Sequence, residues 1–582
     1  MYLSELRLWN FRKYGNDSFD LEHPHLRVPF AKKINVLVGE NDSGKTAIVD
    51  AIKLVLKTNA LEYIHITDDD FYNGSKHLRI EMTLAEVSDD EATLFQDWDP
   101  DKRTIRLILD VTRENGRISP YEVCIGEADD GTGLDPKQKE ALKITYLKPL
   151  RDAENELTAR KNSRISQILL GHELFKQSSD AEHPFIGYFK NANESVEKWF
   201  NDAEGENSNK SQIKDVIDKF LQEFVNVDAN SSFELAEPNI RNILEKISLK
   251  VRDAKNLGLG TLNRLYMAAE LLHLNRKGND LKLCVIEELE AHIHPQAQMK
   301  VMKGLSSESH EQFVLTTHSP NITSKLRMED ENNNLIICKG NKVFPMGDAY
   351  TMLDKKDYKY LDHFLDVTKS SLFFAKGVIL VEGWAEEILI PVLAEKLGID
   401  LTTHEVSIIN VGSTAYLHFA RVFMRQNEPN MDVKCAVVTD MDVQPDDDWN
   451  FNSTFENDKR AKINDEIGQH GNVKVFLAPH WTLEWCLFMS PSIKNILMEA
   501  VSEVHTGTEG FKRDENGNFN EESFRDKLSD NLKKRSLDKV AIASILAQKI
   551  QENDNFSIDD SDEYIRYLLD AIRFAANKYG GN

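Results

Sequence analysis

Residues 39–46 read Gly39-Glu40-Asn41-Asp42-Ser43-Gly44-Lys45-Thr46. They lie between a short apolar run, Lys33 to Val38, and an apolar-periodic segment, Ala47 to Leu56. A G-x-x-x-x-G-K-T loop in that setting requires a strand, a tight phosphate-cradling turn and a helix in succession. The glycines let backbone N–H groups turn toward phosphate oxygens, and the helix N-terminus adds a favourable dipole. Lys45 is placed to reach β- and γ-phosphates, and the Thr46 hydroxyl suits Mg²⁺. Gly39, Asn41, Asp42, Ser43, Gly44, Lys45 and Thr46 are therefore candidate ATP-binding residues.

A second constraint comes from acids at the ends of two apolar runs. Val378 to Val381 is continuously apolar, as suits a strand buried on both faces. It ends in Glu382-Gly383, with Glu386 in the first turn of an apolar helical segment, Ile388 to Leu397. Cys435 to Thr439 is a second such run and ends in Asp440-Met441-Asp442. A carboxylate at a strand end and another four residues on can face one point, and alternate residues of an extended strand project the same way. Asp440 and Asp442 are thus expected to converge with Glu382 and Glu386. Such oxygen donors suit a hard divalent cation, Mg²⁺ or Mn²⁺. The plainer reading of either piece alone is an acidic turn or helix cap. Together and in this order they resemble a Toprim domain.

Between these landmarks the chain changes character. Residues 3–14 alternate like an amphipathic strand, and 77–150 hold further strand-like pieces at His77 to Ala85, Arg103 to Val111 and Tyr121 to Gly126. From Asp152 to about Phe233 the sequence is polar and helical in period. It reads as a helical insertion, either a dimerisation arm or a peripheral decoration. Leu257-Gly258-Leu259-Gly260-Thr261 then opens a long apolar-periodic helix, Leu262 to Leu274. Leu281 to Ile286 is a buried strand ending in Glu287-Glu288. Glu287 is expected to hold Mg²⁺, and Glu288 to polarise an attacking water. Glu290-Ala291-His292-Ile293-His294-Pro295 follows, and another short strand, Gln312 to Leu315, ends in Thr316-Thr317-His318-Ser319-Pro320.

The chain has 582 residues, enough for two to four domains. No apolar run is long enough to span a membrane. The opening residues lack the apolar core of a secretory signal. The five cysteines are scattered and mostly inside apolar runs, which suits reduced thiols. A cytoplasmic protein is expected. The formal net charge of −25 excludes a protein that coats nucleic acid by charge alone. It leaves room for a local basic patch, with Arg151–Arg164 and Lys533-Lys534-Arg535 as candidates, though each also reads as a solvated helix face.

The P-loop, the glycine pair, the acids at 287–290 and the Thr-Thr-His-Ser-Pro stretch resemble the ABC-type ATPases of the chromosome-maintenance and recombination-repair branch. That resemblance implies paired heads that sandwich ATP. Gly258 and Gly260 would face the partner's nucleotide, and His318 would sense the γ-phosphate. Arg12, in Asn10-Phe11-Arg12, matches the family's opening strand and is carried over as a nucleotide contact. Two departures bear on hydrolysis in trans. A serine is not evident near Asn256 or Leu257, and Leu289 stands where a proline is common.

An ABC-type ATPase followed by a Toprim domain resembles the OLD (overcoming lysogenization defect) nucleases. The implied fold is α/β: a head split by a helical insertion, then a Rossmann-like parallel sheet. The implied boundaries are 1–153 and 237–352 for the two head lobes, 154–236 for the insertion, 353–374 for a linker and 375–582 for the Toprim domain. The resemblance also identifies Asn410-Val411-Gly412-Ser413 as a glycine turn, Glu484 as a further metal ligand and Lys539 as a cation near the scissile phosphate. Trp384 departs from the family pattern and would narrow the site. The implied activity is two-metal cleavage of DNA, double-stranded in the first instance. Glu382, Asp440 and Asp442 would hold one ion, and Glu386 and Glu484 the other. A homodimer or higher oligomer, a role in anti-phage defence and a defence partner protein are further implications. The alternatives are an ATP-switched repair or assembly ATPase with a non-cleaving Toprim, or a topoisomerase- or primase-like use of it.

Overall fold

The computed structural model describes the chain apart from residues 17, 59–63, 96–97, 150–152, 176–181, 202–207, 226–229, 253–256, 272–279, 308–310, 414, 468–469 and 579–582, and apart from the side chains of 173, 208–212 and 225. The sequence expectations that touch the omitted positions lie there outside the described residues: Arg151 in the first basic patch, Asp152 and positions 176–181, 202–207 and 226–229 of the helical insertion, Asn256 near the glycine pair, and residues 272–274 at the end of the following helix.

Three sheets organise the described residues. The first is antiparallel, in the order Leu26–Pro29, Tyr2–Trp9, His77–Ala85, Ile105–Glu114, Val123–Ile125, Thr132–Gly133, with Arg117–Ile118 paired at its side. The second is parallel in the order Asn333–Lys339, Ile34–Val38, Gln312–Thr317, Leu283–Ile286, Thr145–Leu147, with Lys342–Pro345 antiparallel at one edge. Its central strands are buried along their whole length. Successive side chains of a strand point to opposite faces. Leu37, Val285 and Val314 accordingly pack with the helix Lys45–Leu56 and the first sheet, while Val36, Val38, Cys284 and Leu315 pack on the other face. This is why these segments read as unbroken apolar runs.

The third sheet is fully parallel, in the order Val406–Asn410, Gly377–Val381, Lys434–Thr439, Val473–Leu477. The second strand in the chain lies on one side of the first, and the third lies on the other. That reversal opens a crevice between Gly377–Val381 and Lys434–Thr439 at their C-terminal ends, where α/β sheets bind ligands. Val381 pairs with Val438, so Glu382 follows one strand directly opposite Thr439 on the other.

One apolar core runs from the head into this sheet. Val36 and Leu315 of the head, and Val378, Leu380, Cys435 and Val437 of the third sheet, belong to a single buried cluster. The 353–374 segment, expected as a linker, carries the helix Lys355–Phe364 and buries Leu361, Leu372 and Phe373 in that cluster. The opposite face of the third sheet packs under the helices Trp384–Lys396, Lys539–Glu552 and Arg566–Ala575.

The polar insertion holds the helices Pro184–Asn201 and Ser208–Val225, which pack on each other. The second exposes Ile213, Val216, Ile217, Phe220 and Phe224. That spacing is one helical face left bare.

Candidate functional site

The P-loop leaves Val38 at the end of a central strand and enters the helix Lys45–Leu56. Gly44 caps that helix at φ 101°, and a Cβ there would fall 1.9 Å from the Tyr14 hydroxyl oxygen. Only glycine fits both the backbone and the space. Lys45 Nζ donates to the carbonyls of Gly39 (2.9 Å) and Glu40 (2.7 Å) and to Ser43 Oγ (3.2 Å). Its burial pulls the ammonium pKa down. This cradle of backbone groups, with a buried cation at its centre, fits a nucleotide triphosphate. Asn41, Asp42 and Thr46 are exposed at its rim.

Glu287 is buried, accepts a hydrogen bond from Tyr146 at 2.6 Å and is raised by burial against that bond. The Glu288 backbone turns through φ 45°, and its N–H donates to Thr316 Oγ1 at 3.0 Å. The His318 N–H donates to Glu290 Oε1 at 2.6 Å. Its ring faces the Gly39 carbonyl and is lowered by burial and then by Lys45. The structure thus brings Lys45, Glu287, Glu288 and His318 to one site.

Gly258 caps the helix Leu259–Glu270 and is exposed, as is Leu259. Neither Gly258 nor Gly260 lines the cavity beside this chain's own P-loop. Arg12 is held by Asp50 (2.6 Å) and Asp70 (2.8 Å). Two of its guanidinium nitrogens are therefore engaged within the protein, and its expected place as a nucleotide contact reduces to the remaining one. Asp50 also binds Lys53 at 3.1 Å, and Lys53 lies 4.0 Å from the Tyr146 ring centroid. Arg12 is thereby tied through this chain of contacts to Glu287, an arrangement with no local sequence signal.

The acids of the third sheet gather at its crevice. Asp440 Oδ1 accepts the Leu483 N–H at 2.8 Å. Burial raises Asp440 well above the carboxylate range, and Glu484 and Glu386 push the same way. Glu386 is pushed up to about 7 by burial and then by Glu484. Lys539 Nζ pairs with Glu484 Oε2 at 2.8 Å. Burial pulls Lys539 down, but Glu484, Asp440 and Glu386 outweigh it and hold the ammonium above its ordinary value. Glu382 accepts a short hydrogen bond from the Thr439 hydroxyl and is raised by burial, with Asp442 adding to the effect.

Asp442 differs from the sequence expectation. The strand ends at Thr439, and Asp442 takes a left-handed φ of 55°. Strand alternation therefore fails at this residue. Asp440 faces Glu386 and Glu484, whereas Asp442 is exposed and paired with Lys459 Nζ at 2.8 Å. Lys459 also donates to the Asp440 carbonyl at 2.9 Å. The structure divides the acids into an inner group, Glu386, Asp440 and Glu484 with Lys539, and an outer pair, Glu382 and Asp442 with Lys459.

Among the described residues no three His, Cys, Asp or Glu side chains are arranged as they stand to hold one ion. Lysines neutralise Glu484 and Asp442 instead. The donor chemistry nevertheless fits a divalent cation. Buried like charges cost on the order of several kcal/mol per ion unless compensated, and all donors are hard oxygens. The helices Trp384–Lys396, Leu483–Met489 and Lys539–Glu552 all begin at this point and turn their positive ends toward it. Trp384 is 62% exposed, so its ring is not packed over the buried acids. Tyr567, which carries no local sequence mark, stands beside Asp440, Glu386 and Glu484. Its hydroxyl is sealed from solvent and unpaired, which removes it as an attacking nucleophile.

Residues 34–324 match a family model described as an AAA domain, putative AbiEii toxin, Type IV TA system, and residues 373–442 match one described as an overcoming lysogenization defect protein-like TOPRIM domain. The chain belongs to the OLD family, as an ATPase with a C-terminal Toprim domain. It is similar to an Endonuclease GajA of Bacillus cereus (strain HuB5-5), 22% identical over 545 residues that cover 77% of this chain and 78% of the relative. It is similar to an OLD nuclease of Thermus scotoductus (strain ATCC 700910 / SA-01), 21% identical over 444 residues that cover 71% and 79% of the two chains. Among solved structures, an SmcHead bound to the C-winged helix domain of ScpA aligns with 60% of this chain and 99% of its own, at 16% identity and a TM-score of 0.37. That score is low, and the fold of this OLD-family chain rests on the strand orders given above.

Proposed function

We propose that this OLD-family chain is an ATP-binding endonuclease that cleaves DNA phosphodiester bonds with divalent metal ions. The observation that carries the reading is the burial of Glu386, Asp440 and Glu484 around Lys539 at the crevice of the third sheet, in the same chain as a P-loop head. Glu386, Asp440 and Glu484 would hold one ion, with Glu382 and Asp442 as ligands of a second. Bound Mg²⁺ or Mn²⁺ would supply a hydroxide nucleophile and stabilise the leaving oxygen.

The chain's own groups do the rest. Lys459 and Lys539 offset charge when a phosphate enters among the acids. The three helix N-termini orient it. In the head, Lys45 would exchange the Gly39 and Glu40 carbonyls for phosphate oxygens, Thr46 and Glu287 would hold Mg²⁺, and Glu288 would orient water. His318, against the Gly39 carbonyl, would register the γ-phosphate. A second copy is the expected partner of the bare helical face at Ile213 to Phe224 and of the exposed start of the helix Leu259–Glu270.

A supercoiled plasmid incubated with the wild type and with Asp440→Ala, in Mg²⁺ or Mn²⁺, tests the nuclease reading. Nicking by the wild type alone supports it, and equal nicking by both overturns it. The expected biological place is anti-phage defence with a partner protein. Phage plating on cells expressing the wild type or Asp440→Ala tests that role.

A further inference from the structure

The P-loop sits at one end of the strand Ile34–Val38. At the other end, roughly 17 Å away by strand rise, Lys33 opens onto a concavity of about 590 Å³. Its wall is completed by the helix Pro295–Ser307 and by the turn after Thr323. Among the described residues five cations line it, Lys33, Lys300, Lys303, Lys325 and Arg327, against one acid, Asp330. The whole chain carries 96 acids to 71 bases, so five to one is a strong local inversion.

The cations differ in how far the protein satisfies them. Lys33 lies 3.8 Å from Asp330. Arg327 faces Asp330 and Asp362. Lys300, Lys303 and Lys325 are exposed, and among the described residues none has a carboxylate at ion-pair distance. The helix Pro295–Ser307 carries Lys300 and Lys303 and no acid at all. Like charges three apart on a helix repel, so the arrangement works against the helix that bears it.

We propose that this concavity is a second contact for DNA, gripping the phosphodiester backbone on the face of the head away from the P-loop. The inference rests on the nuclease reading and extends it. A chain of net charge −25 repels DNA over most of its surface, so productive association needs a local positive surface. The Toprim crevice offers no such surface, because its lysines are committed to Glu484 and Asp442. Long lysine side chains spread around an open mouth suit a run of phosphates, read without sequence preference.

The test is duplex binding by the full-length protein, measured by fluorescence anisotropy in EDTA so that nothing is cut, across a salt series. Wild type is compared with a Lys300→Glu, Lys303→Glu, Lys325→Glu triple variant, its Arg counterpart, and a Lys533→Glu, Lys534→Glu control. Melting temperature and ATP binding check the fold. Each lost phosphate contact lowers the slope of log K against log salt by about 0.9. The triple variant is therefore expected to show a slope shallower by about two to three, and affinity at least about tenfold weaker near 0.1 M salt. The Arg version should bind like wild type. Unchanged affinity and slope in the triple variant, or an equal loss in the control, overturns the proposal. If those variants bind as wild type does while the wild type nicks plasmid and Asp440→Ala does not, only this inference falls. If the wild type neither binds nor nicks DNA, the nuclease reading falls with it.

Discussion

Lys376 Nζ lies 3.6 Å from Glu40 Oε2 in the P-loop and 2.9 Å from Glu405 Oε1 in the Toprim sheet's approach. Lys339 reinforces the join, 3.9 Å from Glu40 and donating to the Ala375 carbonyl at 3.1 Å. A cavity of about 730 Å³ opens here, lined by Gly39, Glu40 and His318 on one side and Glu405 and Ser407 on the other. Lys376 immediately precedes the strand Gly377–Val381, and Glu382 immediately follows it. The P-loop's partner Lys376 and the first of the Toprim acids are therefore joined by one buried strand.

Exposed ion pairs of this kind contribute little to stability, because solvent screens them. Their effect is expected in coupling. Lys376→Ala should leave the melting temperature nearly unchanged while moving the ratio of cleavage rates with and without a non-hydrolysable ATP analogue toward one. Binding linkage is reciprocal, so divalent cation should also shift ATP affinity less in the variant. An unaltered ratio in Lys376→Ala would show that these contacts carry no signal.

The crowded acids make stability depend on pH when metal is absent. Burial raises Glu386 from 4.5 to about 7 in the folded protein. A carboxylate with a raised folded pKa favours the fold while protonated. That contribution is complete below about pH 4.5 and is lost as pH rises through about 7, for a total on the order of 3 kcal/mol. Asp440 works in the same direction. Thermal melts in EDTA should therefore fall in midpoint between about pH 5 and pH 8, and Mg²⁺ or Mn²⁺ should reverse the fall at the upper end by binding the folded state. A flat profile in EDTA would show that the acids are not buried together in solution.

In the head, Lys45→Ala should abolish tight ATP binding, because it removes the buried cation held by Gly39 and Glu40. Glu288→Gln should keep ATP and slow its hydrolysis by about 10²–10⁴-fold, the usual worth of a positioned base. Equilibrium binding and single-turnover hydrolysis separate the two effects. Hydrolysis at the wild-type rate in Glu288→Gln would remove that residue from the site.

How much of this was legible in the sequence follows from burial. Val36, Val285, Val378 to Val381 and Val437 lie in parallel strands covered on both faces, so they read as apolar runs, and the acids at their ends stand out. Strand alternation predicts that Asp442 faces the same point as Asp440. The left-handed backbone of Asp442 is accompanied by Lys459 reaching across from the helix Ser453–Ile467, a tertiary contact with no local mark. Tyr567 arrives from the helix Arg566–Ala575, more than a hundred residues beyond the Asp-x-Asp, and its residue type is indistinguishable from an ordinary core tyrosine. Arg12 looked available because Asp50 and Asp70 become its partners only through the fold. The Lys376–Glu40 contact likewise joins segments that nothing in their own sequence connects.

The bare face of the helix Ser208–Val225 predicts self-association. Phe220 and Phe224 stack with ring centroids 5.4 Å apart, and both are exposed. A contiguous apolar stripe of this kind is rarely left in water. Phe220→Asp with Phe224→Asp should lower the mass measured by light scattering to that of a smaller species, without changing ATP binding. An unchanged mass would remove this helix from the interface.

Lys539 and Asp440 should fail in different ways, which tests the division of labour at the crevice. Asp440 faces Glu386 and Glu484 and is fixed by the Leu483 N–H. Asp440→Ala should remove a metal ligand and the alignment of the crevice together. It is expected to lose both plasmid nicking and the rise in melting temperature on adding Mg²⁺ or Mn²⁺, while ATP binding persists. Lys539 is instead the cation that neutralises Glu484 until an ion does. Lys539→Ala removes the cation that competes with a metal ion for Glu484, so the rise in melting temperature on adding metal should persist or grow. Its cleavage rate should still drop by about 10²–10³-fold, the size expected when one charge that stabilises the transition state is removed. The two readouts together decide the matter. If Lys539→Ala loses the metal-induced rise, its ammonium serves to hold the site in shape. If Asp440→Ala retains both the rise and the nicking, the metal centre lies elsewhere in the molecule.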